Sequence, residues 1–202
     1  MDSKFSVILK IVLALVIIYL GYMLYSIIQE PIQFEKLKEK RYTQVQQRLE
    51  DIRDAQKAYR AEYNRFAKDF NTLIAFVDTG KQSIIERKDS SFTYYNKTYQ
   101  QDMVKDTIVT KILGYQPVKA SLYGEDYDAS KLQYIPTTDG EKFEMSASKI
   151  KVNDIIVPVF EAKASNKQIF EDVLDKYDQF IDKDYALTVG SLTEPTLSGN
   201  WR

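Results

Sequence analysis

The sequence predicts an α+β protein: an N-terminal transmembrane helix continues into a long amphipathic helix packed on a small antiparallel sheet, with a second helix near residues 166-181. Four observations lead to this prediction. Residues 11-28 are apolar and uncharged, apolar residues then recur every three or four positions, and no Gly or Pro lies between Ile32 and Gly80. After Gly80 the pattern changes to short, alternating, β-prone stretches.

These patterns divide the chain into three parts. We assign residues 1-30 to a transmembrane anchor and residues 31-80 to a membrane-proximal amphipathic helix and turn. Residues 81-202 form a soluble, mostly antiparallel β domain with one helix. A chain of 202 residues with 44% apolar and 28% charged residues has room for one membrane segment and one such domain.

Composition excludes several function classes. Lys and Arg total 28 against 29 for Asp and Glu, so no overall positive field attracts nucleic acid. The chain has no Cys and no His, which removes thiolate nucleophiles, the commonest metal ligand and the commonest general base. Motifs of nucleotide-binding loops and of serine hydrolases are also missing. We therefore expect no enzyme, no cofactor and no small-molecule substrate.

The apolar segment, residues 11-28, is long enough to cross a bilayer. As a helix it spans about 27 Å, close to the hydrocarbon thickness, and Lys10 can extend the span by reaching the interface. Tyr19, Tyr22 and Tyr25 lie on one face toward its far end. The predicted anchor residues are Ile11, Val12, Leu13, Leu15, Val16, Ile17, Ile18, Leu20, Leu24, Ile27 and Ile28.

A cleaved signal peptide and a buried soluble helix are the alternatives. The bulky and charged residues after Ile28 offer no small-residue cleavage site, so we expect the segment to be retained. Lys4 and Lys10 before the span are outnumbered by the basic residues that follow it, an ambiguous signal for orientation. Because the N-terminal tail is short, we expect an inner (cytoplasmic) membrane protein whose domain is periplasmic or otherwise extracytoplasmic.

Beyond the span, an apolar stripe predicts one face of a long helix that stops or bends near residues 64-66, with a possible kink at Pro31. Three roles are open for this helix: the spine of the domain, a self-associating coiled coil, and a lever that transmits signals. The stripe departs from a strict heptad, which favours the spine. Its interface or core residues are Phe34, Leu37, Val45, Leu49, Ile52, Tyr59 and Tyr63.

The remainder of the chain predicts a β meander. Asp139-Gly140 and Asn153-Asp154 are turn signals between strands, Ser165 or Asn166 can cap the second helix, and Leu187 and Val189 fit a last strand. The predicted strands are 91-95, 107-113, 132-135, 142-148 and 155-162.

Residues 49-77 carry a family resemblance. Ala55 and Tyr59 fit the end of a helix, and Tyr63, Asn64 and Arg65 fit a short turn that leads to a second apolar turn. This layout resembles that of type IV pilins and type II secretion pseudopilins, best over residues 5-77. The resemblance implies a sheet packed on the outer half of the helix and assembly through helix contacts. The chain lacks the family's usual processing site and the glutamate in the membrane helix.

Other polar groups are weaker candidates. Glu125, Asp126 and Asp128 could bind calcium, but a surface turn explains them better because the spacing of a full calcium loop is missing. Residues 96-98 match a glycosylation acceptor. We expect an exposed helical face for Asp172, Asp175, Asp178 and Asp182. Six tyrosines cluster in the middle region, and two interpretations are open for them, packing in the core and a partner surface. They are Tyr94, Tyr95, Tyr99, Tyr115, Tyr123 and Tyr127.

Together these patterns predict a membrane-anchored structural subunit of a cell-envelope assembly in a secretion or filament system. Its expected partners are other envelope subunits or copies of itself, and the lipid bilayer. The alternative is a membrane-tethered sensor whose long helix passes a ligand-induced shift to a separate membrane partner. That alternative requires a ligand pocket, which the sequence does not identify.

Overall fold

The fold is built on one long helix, α1 (Ser3–Tyr63). The computed structural model describes residues 3-201, with side chains from Val7 onward, so the Lys4 side chain of the predicted charge bias lies outside the described residues. At 61 residues α1 is about 92 Å long. Pro31 lies inside it without interrupting the helical assignment. The predicted α+β class, with a long apolar N-terminal helix and small antiparallel sheets, is confirmed.

The end of α1 is fixed by a buried glutamine. Asn64 adopts a left-handed φ of 52° directly after the helix, so the predicted stop near residues 64-66 is confirmed. The side chain of Gln56 is fully buried, and its amide donates to the carbonyl of Ala67 at 2.9 Å while its carbonyl accepts from the Ala67 N–H at 2.9 Å. This pair holds the chain against α1 before α2 (Phe70–Thr79) begins.

A three-stranded antiparallel sheet covers the domain half of α1. It contains β3 (Glu144–Val152), β4 (Ile155–Ser165) and β5 (Ala186–Gly190), in the order β3-β4-β5. Asn153 and Asp154 join the first two strands, and their positive φ angles of 46° and 66° confirm the predicted tight turn.

The core lies between this sheet and α1. Alternate residues of β4, Phe160, Ala162 and Ala164, are fully buried, as are Leu187 and Val189 of β5. The alanines leave room for the helix to approach the sheet closely, because large side chains there would hold the backbones apart. The stripe on α1 supplies the facing residues, and its fully buried members are Val45, Leu49, Ile52 and Ala55.

A second, separate sheet is a long hairpin of β1 (Lys81–Asn96) and β2 (Gln101–Pro117). The predicted strands 91-95 and 107-113 lie inside it, but the real strands are far longer. They do not join β3 and β4 as the predicted meander required. After the hairpin, α3 (Val118–Leu122) returns the chain to the body.

The predicted strand 132-135 is wrong. The chain forms a 3-10 turn, Ala129–Gln133, and then makes only a single bridge between Tyr134 and Lys142. Leu132 and Ile135 are both buried, at a spacing of three that suits a turn better than the alternation of a strand. The side chain of Asp128 starts the turn by accepting from the N–H of Ser130.

The predicted second helix near 166-181 is broken into single turns. Its α-helical parts are α4 (Asn166–Ile169) and α5 (Leu174–Tyr177), with 3-10 turns around them. The expected cap is present, since Ser165 and Gln168 form a capping box. Phe170 then leaves the helical region at φ −117° and ψ 19°. This bend buries adjacent Ile169 and Phe170 together, which a regular helix would point in different directions.

An ion pair fastens this irregular segment to α1. The buried Arg41 guanidinium donates to both carboxylate oxygens of Asp172, at 2.6 and 2.8 Å, and to the carbonyl of Ile169 at 2.7 Å. These bonds from Arg41 hold the pKa of the Asp172 carboxyl below its usual range. Asp172 was expected on an exposed helical face. Its side chain is 58% exposed, yet it is the partner of a buried charge.

Replacing Gln56 by Ala should destabilise the domain strongly. The substitution leaves the buried N–H and C=O of Ala67 without partners, a loss of about 2 to 4 kcal/mol. Gln47→Ala, at an exposed position of the same helix, is the matched control and should change stability by less than about 0.5 kcal/mol. Urea unfolding of the full chain in detergent measures both. Equal effects of the two variants would contradict the role given to Gln56.

Asp172→Asn should remove a pH-dependent part of the stability. Because the pKa of Asp172 is lowered in the folded chain, its contribution is present above the unfolded value of about 3.9 and is lost as the pH falls through the folded value. The melting temperature of Asp172→Asn should therefore lie below that of the wild type at pH 7, and the gap should shrink below about pH 4. Asp175→Asn, on the same segment, is the control, and a pH-independent gap would contradict the account.

Candidate functional site

Among the described residues, two extended surfaces stand out as apolar, exposed and not used by the core. The first is the apolar segment of α1. It is the one helix in the described part of the chain that is long and apolar enough to cross a membrane, with a mean hydropathy of 2.6 in its best window and none of that window buried. The exposed fractions of its large side chains run from 46% at Val16 to 69% at Tyr22.

Every predicted anchor residue lies on this exposed surface, on all sides of the helix. In water such a surface would be unfavourable, since about 25 cal/mol is lost for each Å² of exposed apolar area. In a bilayer the same helix satisfies all its backbone groups internally. The exposed anchor residues are Ile11, Val12, Leu13, Leu15, Val16, Ile17, Ile18, Leu20, Leu24, Ile27 and Ile28.

The stripe of α1 lies mostly inside the domain. Phe34 is buried among Phe170, Tyr177 and Phe180, with ring centroids 5.3 to 5.9 Å away. The described structure therefore uses the stripe as core, and the helix presents little of it to partners. Val45, Leu49, Ile52 and Tyr59 are buried like Phe34, Leu37 is half-buried, and Tyr63 is 53% exposed.

The second surface is the β1–β2 hairpin. At the rise of a strand it is about 50 Å long, and from Ile85 to Tyr95 every residue of β1 is exposed. Its base is attached to the body: Glu62 of α1 accepts from the N–H of Ser83 at 2.6 Å, and the N–H of Val118 donates to the carbonyl of Gly80 at 3.1 Å. Beyond this base the hairpin has solvent on both faces.

The pairing of the strands assigns each side chain to a face. A bulge between Ile84 and Ile85 shifts the register, and beyond it the pairs run without interruption from Ile85 opposite Ile112 to Asn96 opposite Gln101. Directly paired residues lie on the same face and successive residues alternate. Phe92 and Tyr94 fit this assignment, because their rings lie 6.2 Å apart on one face.

Both faces carry apolar side chains next to charges. The face with Phe92 and Tyr94 also has Val109, whereas the opposite face has Val104, Ile108 and Ile112. An isolated two-stranded hairpin is marginally stable in water, and its two outer edges leave backbone groups free to pair. A long hairpin with such side chains is typical of a surface that is covered by a partner.

The acidic candidates do not form a metal site in the described residues. No group of three or more Asp and Glu side chains there is arranged to hold an ion. Asp128 caps the 3-10 turn, and Glu125 and Asp126 are exposed. Asp178 pairs with Lys183, the N–H of Asp184 donates to Asp182 at 3.1 Å, and Asp175 is exposed.

The six clustered tyrosines divide between two places. Tyr94, Tyr95, Tyr99 and Tyr115 are exposed on the hairpin. Tyr123 and Tyr127 stack at 4.3 Å beside α1, and the hydroxyl of Tyr123 donates to the backbone carbonyl of Asp51. Burial raises the pKa of Tyr127 to about 12 and raises that of Tyr123 further, so both stay protonated. Asn96, the glycosylation candidate, begins the hairpin turn.

A basic groove is one of several concave features of the described surface. It has a volume of about 340 Å³ and is lined by Arg65, Lys68 and Lys149 beside Phe66 and Pro158. All three cations are exposed to solvent, so the groove has no buried group that would fix a ligand. It therefore gives the sensor alternative little support.

No family model, no curated protein and no solved structure matches this chain. Function is therefore inferred from the apolar segment, the domain and the hairpin themselves. Sequence reasoning missed the hairpin as a unit, although a signal was present: aromatic and β-branched residues are frequent in 91-95 and 104-113, on the two sides of the segment Asn96 to Gln100.

Removing the outer hairpin should leave the domain folded. Ile85 and Ile112 are paired, so a two-residue Asn-Gly turn can replace residues 86-111. The melting temperature should change by less than about 5 °C, since the deleted residues lie outside the core. Phe160→Ala, which empties a core position, should cost about 3 to 5 kcal/mol and provides the contrast. Unfolding of the shortened chain at ambient temperature would show that the hairpin is part of the core.

Proposed function

We propose that this chain is a membrane-anchored structural subunit of a cell-envelope assembly, which acts through protein-protein contacts. The observation that carries the proposal is α1 itself: an apolar segment exposed on all sides continues, without a break at Pro31, into the helix that organises the domain. A rigid continuous helix fixes the distance and direction of the domain relative to the bilayer, which is what a structural subunit requires.

The proposed place of the chain is the inner membrane, with a single span and the domain on the extracytoplasmic side. Lys10, directly before the apolar segment, favours this orientation. The Lys and Arg residues that follow the span oppose it, so orientation needs its own measurement. Reporter enzymes fused after Arg202, one active only in the cytoplasm and one only outside it, provide that measurement. Activity of the cytoplasmic reporter alone would reverse the proposed side.

A pilin or pseudopilin type of assembly is the specific form that we propose. Its support is the resemblance over residues 49-77 together with a helix half covered by a sheet, in which β4 and β5 pack on α1. The missing glutamate in the membrane helix means that subunits would need another contact to set their register. The β1–β2 hairpin is an exposed surface of the described domain that is free for such a contact.

Contacts rather than catalysis form the basis of this proposal. Among the described residues, no three metal-ligating side chains cluster, and the buried polar side chains of Arg41 and Gln56 hold the fold together through Asp172 and Ala67. Gentle detergent purification followed by identification of the co-purifying proteins tests the proposal. Secretion or filament components support it. A monomer that binds a small molecule and crosslinks to a signalling kinase would contradict it and favour the sensor.

Charges placed in the apolar segment should release the chain from membranes. Each Lys near the middle of a spanning helix costs about 2.5 to 3.5 kcal/mol, so Leu15→Lys with Ile18→Lys should move the protein from the pellet to the supernatant after a carbonate wash. The matched control, Ile155→Lys with Ile156→Lys, changes two equally exposed apolar residues of the domain and should stay in the pellet. Release of the unmodified chain by carbonate would contradict membrane anchoring.

A further inference from the structure

The two faces of the outer hairpin differ in the sign of their unpaired charge. On one face, Lys88 is paired with Val109 and Lys105 with Phe92. We call this the lysine face. Its remaining charges, Glu86 and Lys111, are directly opposite each other and offset one another.

The other face is acidic. Asp89 is paired with Ile108, Asp106 with Ser91, and Asp102 with Tyr95. We call this the aspartate face; Arg87 is its single cation. Among the described residues, the charged groups of the lysine and aspartate faces form no ion pairs within the chain.

We propose that the lysine face of one chain docks on the aspartate face of a second copy, so that hairpins stack on one another between neighbouring subunits. The inference rests on the proposed function, because it treats the chain as an assembly subunit, and it names the partner of the hairpin as a second copy. Charge complementarity carries it: each copy presents both the cationic and the anionic half of the same interface, with apolar residues between the charges.

The apolar residues fit this arrangement. Phe92, Tyr94 and Val109 on the lysine face would meet Val104 and Ile108 on the aspartate face. Aromatic and β-branched side chains packed between sheets are typical of interfaces and of sandwich cores. Stacking two like faces would instead bring lysines against lysines or aspartates against aspartates, which is unfavourable.

The contact between two hairpins is small, so that it depends on the chains being anchored in a membrane. Twelve paired positions give a face about 40 Å long and 10 Å wide, so that one stack buries roughly 800 Å² in total, less than stable complexes bury. A stack of two hairpins in solution would be weak. Anchored chains share a surface and an orientation, which raises their effective concentration, and each inner copy of a row contributes both faces.

The symmetry of the contact has a structural consequence. Because different faces meet, the contact is heterologous and repeats from one copy to the next, unlike a two-fold dimer. The repeat can form a row or close into a ring. Such a hairpin contact would fix the spacing of neighbouring subunits.

Crosslinking in isolated membranes tests the stack with the full chain. The chain has no Cys, so single cysteines are unambiguous. Chains with Val109→Cys, on the lysine face, are co-expressed with differently tagged chains that carry Ile108→Cys, on the aspartate face. A short bis-maleimide should give mixed dimers, whereas either variant alone should give none. Dimers of Val109→Cys alone, or no mixed dimers, would overturn the proposal.

A matched control uses the turn of the other sheet. Ile155 and Ile156 are both 66% exposed and are neighbours on β4, as Ile108 and Val109 are on β2. Ile155→Cys and Ile156→Cys chains should give no mixed dimers. If they crosslink as well as the hairpin pair, the crosslinks reflect crowding in the membrane, and the proposal is overturned.

Charge exchange tests the complementarity itself. Lys88→Glu with Lys105→Glu makes both faces acidic, and Asp89→Lys with Asp106→Lys makes both faces basic. When both cysteine chains carry the same charge change, crosslinking should fall to the control level. When Val109→Cys lies on the all-acidic chain and Ile108→Cys on the all-basic chain, crosslinking should return. Recovery also shows that both variants fold.

A failure of the hairpin stack can be distinguished from a failure of the proposed function. If hairpin crosslinks are missing while the chain stays in carbonate-washed membranes and co-purifies with envelope components, the stack is wrong and the structural role stands. If the chain leaves the membrane on washing, the proposed function itself fails. Unchanged crosslinking after either uniform charge change would overturn the complementarity of the two faces.

Discussion

The burial of one face of α1 against the β3-β4-β5 sheet is the interaction on which the rest of the structure depends. Val45, Leu49 and Ile52 are fully buried there, and small residues of β4 let the sheet approach. The same helix carries the apolar segment at its other end. The buried stripe of the domain and the exposed apolar segment are therefore parts of one continuous element. In the proposed membrane anchor, this continuity would give the domain a fixed relation to the bilayer.

The periodic parts of this arrangement could be predicted from the sequence. Apolar residues at helical spacing from Phe34 to Tyr59 predict the domain half of α1. Alternation predicts β3, and β-branched residues predict β4. The breaks in 166-181 could not be predicted, since Phe170 bends out of the helix to reach Phe34, 136 positions earlier in the chain. Tertiary contacts override a local pattern at such points.

The buried polar residues that join distant elements could not be predicted from the sequence either. Gln and Arg are residue types that usually face solvent, but Gln56 and Arg41 are both buried and hydrogen-bonded to partners outside α1. The β1–β2 hairpin was not predicted as an exposed surface, for a different reason. The aromatic and β-branched residues of the outer hairpin predict strands correctly, but this composition does not reveal that neither face is covered by the chain's own core.

A distance measurement across Pro31 tests the continuity of α1 most directly. Spin labels at Tyr25→Cys and Lys57→Cys, both exposed positions on a chain without other cysteines, should lie about 48 Å apart in a bilayer, with a single narrow distribution. That result is expected if one unbroken helix joins the membrane to the domain. A broad or much shorter distribution would show that the chain bends at Pro31, and the domain would then have no fixed position over the membrane.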